Sequence, residues 1–444
     1  MNSWLLRFFT FLVSLYSIIS SENDIDIYVS IHIIIIAINS YSLFSYKTIP
    51  YSLFKVYHIF SLFFFGIAPV LQYYDHTRFL DEPLIHQDVK LYTSLIILFS
   101  LILYNIIYFY FFLKLNSKNI KIKKQILKLN YFKSNDKRFS KEILVLLLFL
   151  SLLSLFVILY MNKFNVLSLF FRGGEFSERV EVEKSITLLS EKFFRPLSLV
   201  IFIISFKYNR KRYILNFLLF FIFLLTCFPS GMARNATAAF YIPLLLLFVP
   251  IFKKKHVFVS FMLASVLVIF PFLNNFRRFN SESKIAVGLN YDMFTDMHFD
   301  AYLTFARIIN LDLVTYGRQL LGVFFFFVPR SLWHAKPESS GYLHADVLHL
   351  YFKNLACTFL AEGYINFGIF GVFLFLFFIA WFSAYLDKAY FIFKKSESFF
   401  NIIYILILGM FLFVLRGDLM NGYSFTFGIV FTSLFMFKIL KKIT

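Results

Sequence analysis

The stretch LYTSLIILFSLILYNIIYFYFFL (residues 91–113) runs for 23 residues without a charged side chain. Wound as an α-helix it is about 34 Å long, enough to cross the roughly 30 Å hydrocarbon core of a bilayer. Comparable apolar runs recur at 4–20, 27–46, 52–72, 143–161, 193–207, 214–228, 236–252, 256–275, 362–386, 399–415 and 423–438, which brings the expected number of spans to about twelve. The run at 4–20 has no small-x-small cleavage site at its end and reads as a span rather than a signal peptide. The 444-residue chain is 59% hydrophobic and 16% charged, more apolar than any soluble domain of this size requires. The ten-residue alternation of a β-barrel is missing. The expected fold is therefore an all-α polytopic membrane protein, with residues 1–444 forming a single transmembrane domain.

The residues that follow the quoted stretch set its orientation. The loop 114–142 is strongly basic, and further lysine and arginine clusters follow the runs ending near 207, 252, 386 and 438. All of them follow even-numbered spans, so by the positive-inside rule both termini are cytoplasmic. The outer segments are then 21–26, 73–90, 162–192, 229–235, 276–361 and 416–422. In that arrangement 22 of 29 lysines lie inside, while 11 of 15 arginines lie outside or at outer helix ends. Lysines follow the topology rule and arginines run against it, so the arginines need a second reason. Two outer loops are large, 162–192 and 276–361. The second is long enough to form a cap, with amphipathic helices expected at 299–311 and 344–354.

A net charge of +19 suggests nucleic acid at first sight. No soluble basic domain exists to carry such binding, and the lysines are membrane-side anchors, so nucleic acid is not an expected partner. Two cysteines, Cys227 and Cys357, rule out a cysteine-rich metal site or a disulfide framework and read as small buried residues. Phosphate-binding glycine loops, dinucleotide fingerprints, HExxH and GxSxG are all missing, and no metal or cofactor is implied.

The outer arginines are the strongest chemical signal. Guanidinium groups bind phosphate oxygens bidentately and stay charged near lipid, so several of them converging on one site suit a pyrophosphate at the membrane surface. Arg234, Arg277, Arg278, Arg330 and Arg416 are the candidate ligands, with Arg172 and Arg318 in support. YGRQLLGVFFFFVPRSLWHAKPESSG (316–341) holds an apolar run of half the spanning length between Arg318 and Arg330. It reads as a loop segment lying on the membrane or dipping into it, with Trp333, His334 and Lys336 placed to touch a sugar or a headgroup. Candidate general bases are Asp300, His298 and Glu362. Glu362 stands at the edge of an apolar span, where a carboxylate is costly unless paired. Gly363, Gly368 and Gly371 suit close helix packing.

The stretch 316–341, followed by AEGYINFGIFG (361–371), resembles the C-terminal half of the bacterial O-antigen polymerases, the Wzy-type oligosaccharide repeat unit polymerases. The resemblance covers about 290–375. It implies an inner-membrane glycosyltransferase whose active site faces the periplasm. Such an enzyme moves a growing glycan from undecaprenyl pyrophosphate to the non-reducing end of the next lipid-linked repeat unit. Membrane lipid surrounds it, and a chain-length regulator protein is a candidate partner. Arg330 and Gly341 fit the Arg-x10-Gly pattern of the family's outer loops, whereas the loop 162–192 departs from it, with Glu183 eleven residues after Arg172 and Ser190 eleven after Arg179. An O-antigen ligase with the same donor, or a flippase for the lipid-linked unit, is the alternative expectation.

Overall fold

The structure, a computed structural model, describes residues 26–45, 49–80, 83–115, 139–171, 179–274, 291–394 and 398–443. The expected span at 4–20, most of the basic loop 114–142, and Arg172, Arg277 and Arg278 lie outside the described residues. Those described form helices and connections, with no strand among them. In chain order the first helices are α1 (Ile27–Ser45), α2 (Leu53–Tyr74, π-helical over Leu62–Ile67), α3 (Gln87–Lys114) and α4 (Lys141–Met161). Next come α5 (184–208, π-helical over Ser190–Phe194), α6 (Tyr213–Thr226), α7 (Arg234–Phe248) and α8 (Val257–Leu273). The short α9 (Ala301–Asn310), α10 (Arg318–Phe324) and α11 (Ser340–Val347) precede α12 (Phe359–Phe393), α13 (Phe399–Arg416) and α14 (Leu419–Ile443).

Seven of these helices are long and apolar enough to cross a membrane: α1 to α4 and α12 to α14. Several expose large apolar side chains, such as Phe149 and Phe156 on α4 and Phe370 and Phe378 on α12. That surface suits lipid and not water. The spans expected at 214–228, 236–252 and 256–275 are helical but shorter, while that at 193–207 lies within the longer α5, whose first half carries Glu191, Lys192 and Arg195. Arg210 to Arg212 and Pro229 bracket α6, while Arg234 and Pro250 bracket α7. At 14 and 15 residues these two reach only about two-thirds of a bilayer's thickness.

Two apolar cores hold the bundle. One joins α1, α2, α3, α8, α9 and α12, the other α4, α5, α6 and α14, and both draw on α7 and α13. The pair α7–α13 thus forms the seam between the two groups. The pair is packed tightly enough for Gly409 of α13 to rest on the Ala239 carbonyl and the Pro243 ring of α7. Lysines from separate loops gather at one end of the seam, where Lys55 lies near Lys255 and Lys394 near Lys253. The arginines stand at the other end, beneath the short helices.

Three sequence expectations meet the structure differently. The helix over 299–311 is present as α9, with both Ala301 and Ile308 buried. The second cap helix begins four residues earlier than expected and stops at Val347, because Ser339 caps it through the Tyr342 amide and His349 turns the chain at φ 53°. The three glycines of α12 mark a sharp bend. Gly368 sits there at φ 60°, and Gly363 and Gly371 face each other across it too closely for any side chain. Cys227 and Cys357 are both buried and unbridged.

At the lysine end, the buried Asp387 of α12 holds four segments together. It accepts hydrogen bonds from the Leu53 and Phe54 amides at 2.9 and 3.2 Å, and from the Tyr108 and Tyr404 hydroxyls at 2.8 and 2.6 Å. The carboxylate also faces the N-terminus of α2, where the helix dipole favours it. Asp387→Ala leaves these donors unpaired in a dry interior and should destabilise the bundle by on the order of 3 kcal/mol. A thermal-shift measurement in detergent checks this, and an unchanged midpoint would rule the tie out as a support of the fold.

Candidate functional site

Because α7 and α13 run antiparallel, the first residue of one and the last of the other meet at the same end. Those residues are Arg234 and Arg416. Arg416 complements the negative end of its own helix, while Arg234 adds charge where the dipole of α7 is already positive. No side chain caps the N-terminus of α7. Two helix starts therefore face this region, and the chain treats them differently. That of α14 is sealed from within: the Leu419 amide donates to Glu362 at 2.8 Å, and the Met420 and Asn421 amides to Asp418 at 3.0 and 3.4 Å. That of α7 opens into a cavity.

This cavity, of about 350 Å³, is lined by Arg234, Arg416, Asp300, His298, Asp418 and three asparagines, Asn235, Asn354 and Asn421. Arg416 bonds the Asp300 carboxylate at 3.1 Å and the His298 carbonyl at 3.0 Å. Burial lifts the Asp300 carboxyl to about 6, and the Arg416 guanidinium opposes that rise. Asp300 is thus a carboxylate at neutral pH with an affinity for protons far above an exposed aspartate, the setting a general base needs. Burial likewise pushes Asp418 above its usual range.

A larger cavity of about 760 Å³ lies beside the first, and Met232, Ala233 and Asn421 line both, which makes the two neighbouring chambers of a cleft. Its wall is formed by the 316–341 segment, α5 and α14. Within 316–341 the chain makes the short α10 and then a series of turns. The Lys336 ammonium donates to the Phe326 and Val328 carbonyls at 2.6 and 2.9 Å. Arg330 donates to the Lys336 carbonyl at 3.0 Å and pairs with Glu338 at 2.8 Å. These bonds fold the turn so that Phe324, Phe325 and Phe327 are exposed on one side while Phe326 packs on Tyr423 and Phe427 of α14. The segment does not span; it wedges against α14. At its end the Gly341 amide donates to Asp418 at 3.0 Å, and a side chain at 341 would strike the Leu355 carbonyl.

The sequence candidates divide accordingly. Arg234, Arg416, Asp300 and His298 share the smaller chamber, and Arg330 and Lys336 line the larger. Arg318 is exposed and donates to the Ala335 carbonyl at 3.4 Å. Trp333 packs edge-on against Phe325, and His334 is exposed; neither lines either chamber. Glu362 sits beneath the cleft with one oxygen on the Ser340 hydroxyl at 2.6 Å and the other on Leu419, so it positions α11 and α14 and faces no ligand space. A second histidine and aspartate at the spacing of His298 and Asp300 do not reach the cleft: His344 is buried elsewhere and Asp346 pairs with Lys353. Sequence reasoning missed Asp418, Lys192, and the Glu191–Arg195 pair that meets at 2.7 Å in the larger chamber. RGDLMNG (416–422) held a signal for the first, an aspartate directly before a helix start.

Comparisons with family models, with curated proteins and with solved structures return no match.

Both buried carboxylates are expected to cost stability when neutralised. Glu362→Gln turns an amide N–H toward a donor and should cost about 1–3 kcal/mol. Asp300→Asn leaves the largely buried Arg416 guanidinium without its counter-charge and should lower the thermal midpoint too, by about 3 kcal/mol in stability. Equal midpoints for Glu362→Gln and wild type would show that Glu362 does not hold the turn.

Proposed function

We propose that the protein is a membrane glycosyltransferase of the O-antigen polymerase type, working at the outer face of a bacterial inner membrane. One observation carries this reading: Asp300, Arg416 and the uncapped, arginine-bearing N-terminus of α7 line one polar chamber that lies beside a larger amphipathic one. The first chamber offers hydroxyl-binding amides and a base. The second offers cations beside an apolar wall. Together they match a polyol that must be deprotonated and an anionic leaving group attached to lipid.

In the proposed reaction an acceptor hydroxyl of one repeat unit attacks the anomeric carbon of the glycan on a polyprenyl pyrophosphate. The new glycosidic C–O bond forms as the C–O bond to pyrophosphate breaks. Asp300 takes the hydroxyl proton, and the released polyprenyl pyrophosphate carries away the electron pair. The developing negative charge is stabilised by fixed cations in a poorly hydrated site, where such stabilisation is strongest. Arg234 and the α7 dipole supply it from one chamber, and Arg330 from the other. Since the bond energy already resides in the lipid pyrophosphate, no nucleotide site is required. Arg416 keeps Asp300 ionised over the working pH range.

The deciding experiment is the lipopolysaccharide ladder of a deletion strain. Loss of a polymerase leaves single repeat units on the lipid A core, loss of a ligase leaves polymer on its carrier, and loss of a flippase leaves units facing the cytoplasm. A ladder of unchanged length would sink the proposal. Complementation by Arg330→Lys should shorten the polymer sharply, because an ammonium is a point charge without the planar fork that reaches the Lys336 carbonyl and Glu338 from two nitrogens. Purified enzyme should lose activity as pH falls through about 6, where Asp300 becomes protonated. Arg416→Gln removes the group that holds this value down, so the acid limb should move to higher pH; a limb that stays in place would separate Asp300 from the proton transfer.

A further inference from the structure

The cations of the larger chamber are not equivalent. Arg195 is engaged by Glu191 through two nitrogens, Arg330 by Glu338, and Lys336 by two backbone carbonyls. Arg179 is exposed at the rim. Lys192 differs from all of them. Among the described residues its ammonium makes no hydrogen bond and no ion pair, and it lies 3.0 Å from the centre of the Phe425 ring on α14. Burial pushes the Lys192 amine down to about 7, against the pull of the nearby but unbonded Glu191 and Asp418 carboxylates, so an anion arriving at its ring-face seat favours the charged form.

The local backbone puts it there. Ser190–Phe194 is a π-helical turn, which inserts an extra residue and rotates Lys192 toward α14. Helix α14 accommodates this at Gly428, where any side chain would collide with the Lys192 carbonyl. Much of the wall is apolar, with Leu188, Met232, Phe326, Val328, Met420 and Phe425 lining the same space beside Glu183, Thr187, Asn421 and Ser424. The exposed Phe324 and Phe327 continue that apolar surface outward along the wedge. An uncommitted cation at the base of an apolar groove fits a ligand with a phosphate at one end and a hydrocarbon chain at the other.

We propose that Lys192 is the anion-contacting residue of the larger chamber, which binds the phosphate end of a single-chain lipid phosphate or pyrophosphate. The Phe425 face holds the ammonium ready, and the ligand's oxygens take up its three donors. This assignment deepens the glycosyltransferase proposal and rests on it only for the choice of one prenyl chain rather than a two-chain phospholipid.

The test uses purified full-length protein in neutral detergent and three probes: farnesyl pyrophosphate, farnesol and inorganic pyrophosphate. Farnesyl pyrophosphate should bind more tightly than either part alone. Lys192→Met should weaken it by about tenfold or more, the scale of one charge-assisted bond, and leave farnesol binding unchanged. Lys192→Arg should recover part of the loss. Unaltered protein supplies a readout free of folding effects: acetylation of Lys192 by acetic anhydride, followed by mass spectrometry, should fall on adding farnesyl pyrophosphate but not farnesol. Undiminished labelling, or equal affinity of wild type and a folded Lys192→Met variant, would overturn the role of Lys192. Equal affinity for inorganic pyrophosphate would overturn the lipid part. Equally effective competition by dioleoylphosphatidylglycerol would make this a phospholipid headgroup site instead. No arm contains a sugar, so the result stands or falls independently of the polymer ladder.

Discussion

The turn between α13 and α14 is held by two carboxylates that answer a helix N-terminus. Glu362 and Asp418 take the first amides of α14, and their remaining lone pairs reach the Ser340 hydroxyl and the Gly341 amide. Three segments distant in sequence are thereby joined: the end of the 316–341 wedge, the start of α12, and the α13–α14 turn. Two carboxyl groups buried side by side are costly to ionise together. They are tolerable here because each faces amides or hydroxyls and the positive end of a helix dipole. Without this tie the wedge has no fixed seat, and the larger chamber has no wall.

The tie also shapes the electrostatics of the cleft. The negative charges nearest to it are already committed, Glu362 and Asp418 to α14, Glu191 to Arg195 and Glu338 to Arg330. Groups of positive character on the cleft wall include the open end of α7 in the smaller chamber and Lys192 in the larger. Asp300 is the counterpoint, a carboxylate left on the cleft wall with one arginine as its partner. Burial and Arg416 act on it in opposite directions, and the balance leaves it charged near neutrality yet ready to accept a proton.

Much of this was legible in the chain. Uncharged runs of spanning length announce helices in lipid. The sorting of arginine from lysine predicted a cationic site at the end opposite the lysines, and Arg234, Arg330 and Arg416 do gather with Asp300 and His298 at that end of the seam. The short apolar run ending at Pro329 was readable as a segment that does not cross. Other features were not legible. Glu362 looked like a base because a carboxylate at the edge of a span is costly, yet the same cost is met by capping a helix that begins 57 residues later. Lys192 carried no signal, since its exposure to the chamber depends on a π-helical turn. The helix expected at 344–354 shifted toward its cap, Ser339, because a capped start outweighs weak periodicity.

By itself the sequence determined the class of fold, the two ends of the molecule and the charge each carries, because hydropathy and the cost of moving charge across lipid act residue by residue. Only the tertiary structure decided which charges belong to the fold and which to the cleft. That choice depends on distance and burial: Glu362, 2.8 Å from an amide at a helix start, is a cap, while Asp300 stands on a cavity wall beside Arg416. The antiparallel seam of α7 and α13, which brings Arg234 and Arg416 to one place, follows from packing between two helices whose meeting residues stand 182 positions apart in the chain, and no local pattern encodes it.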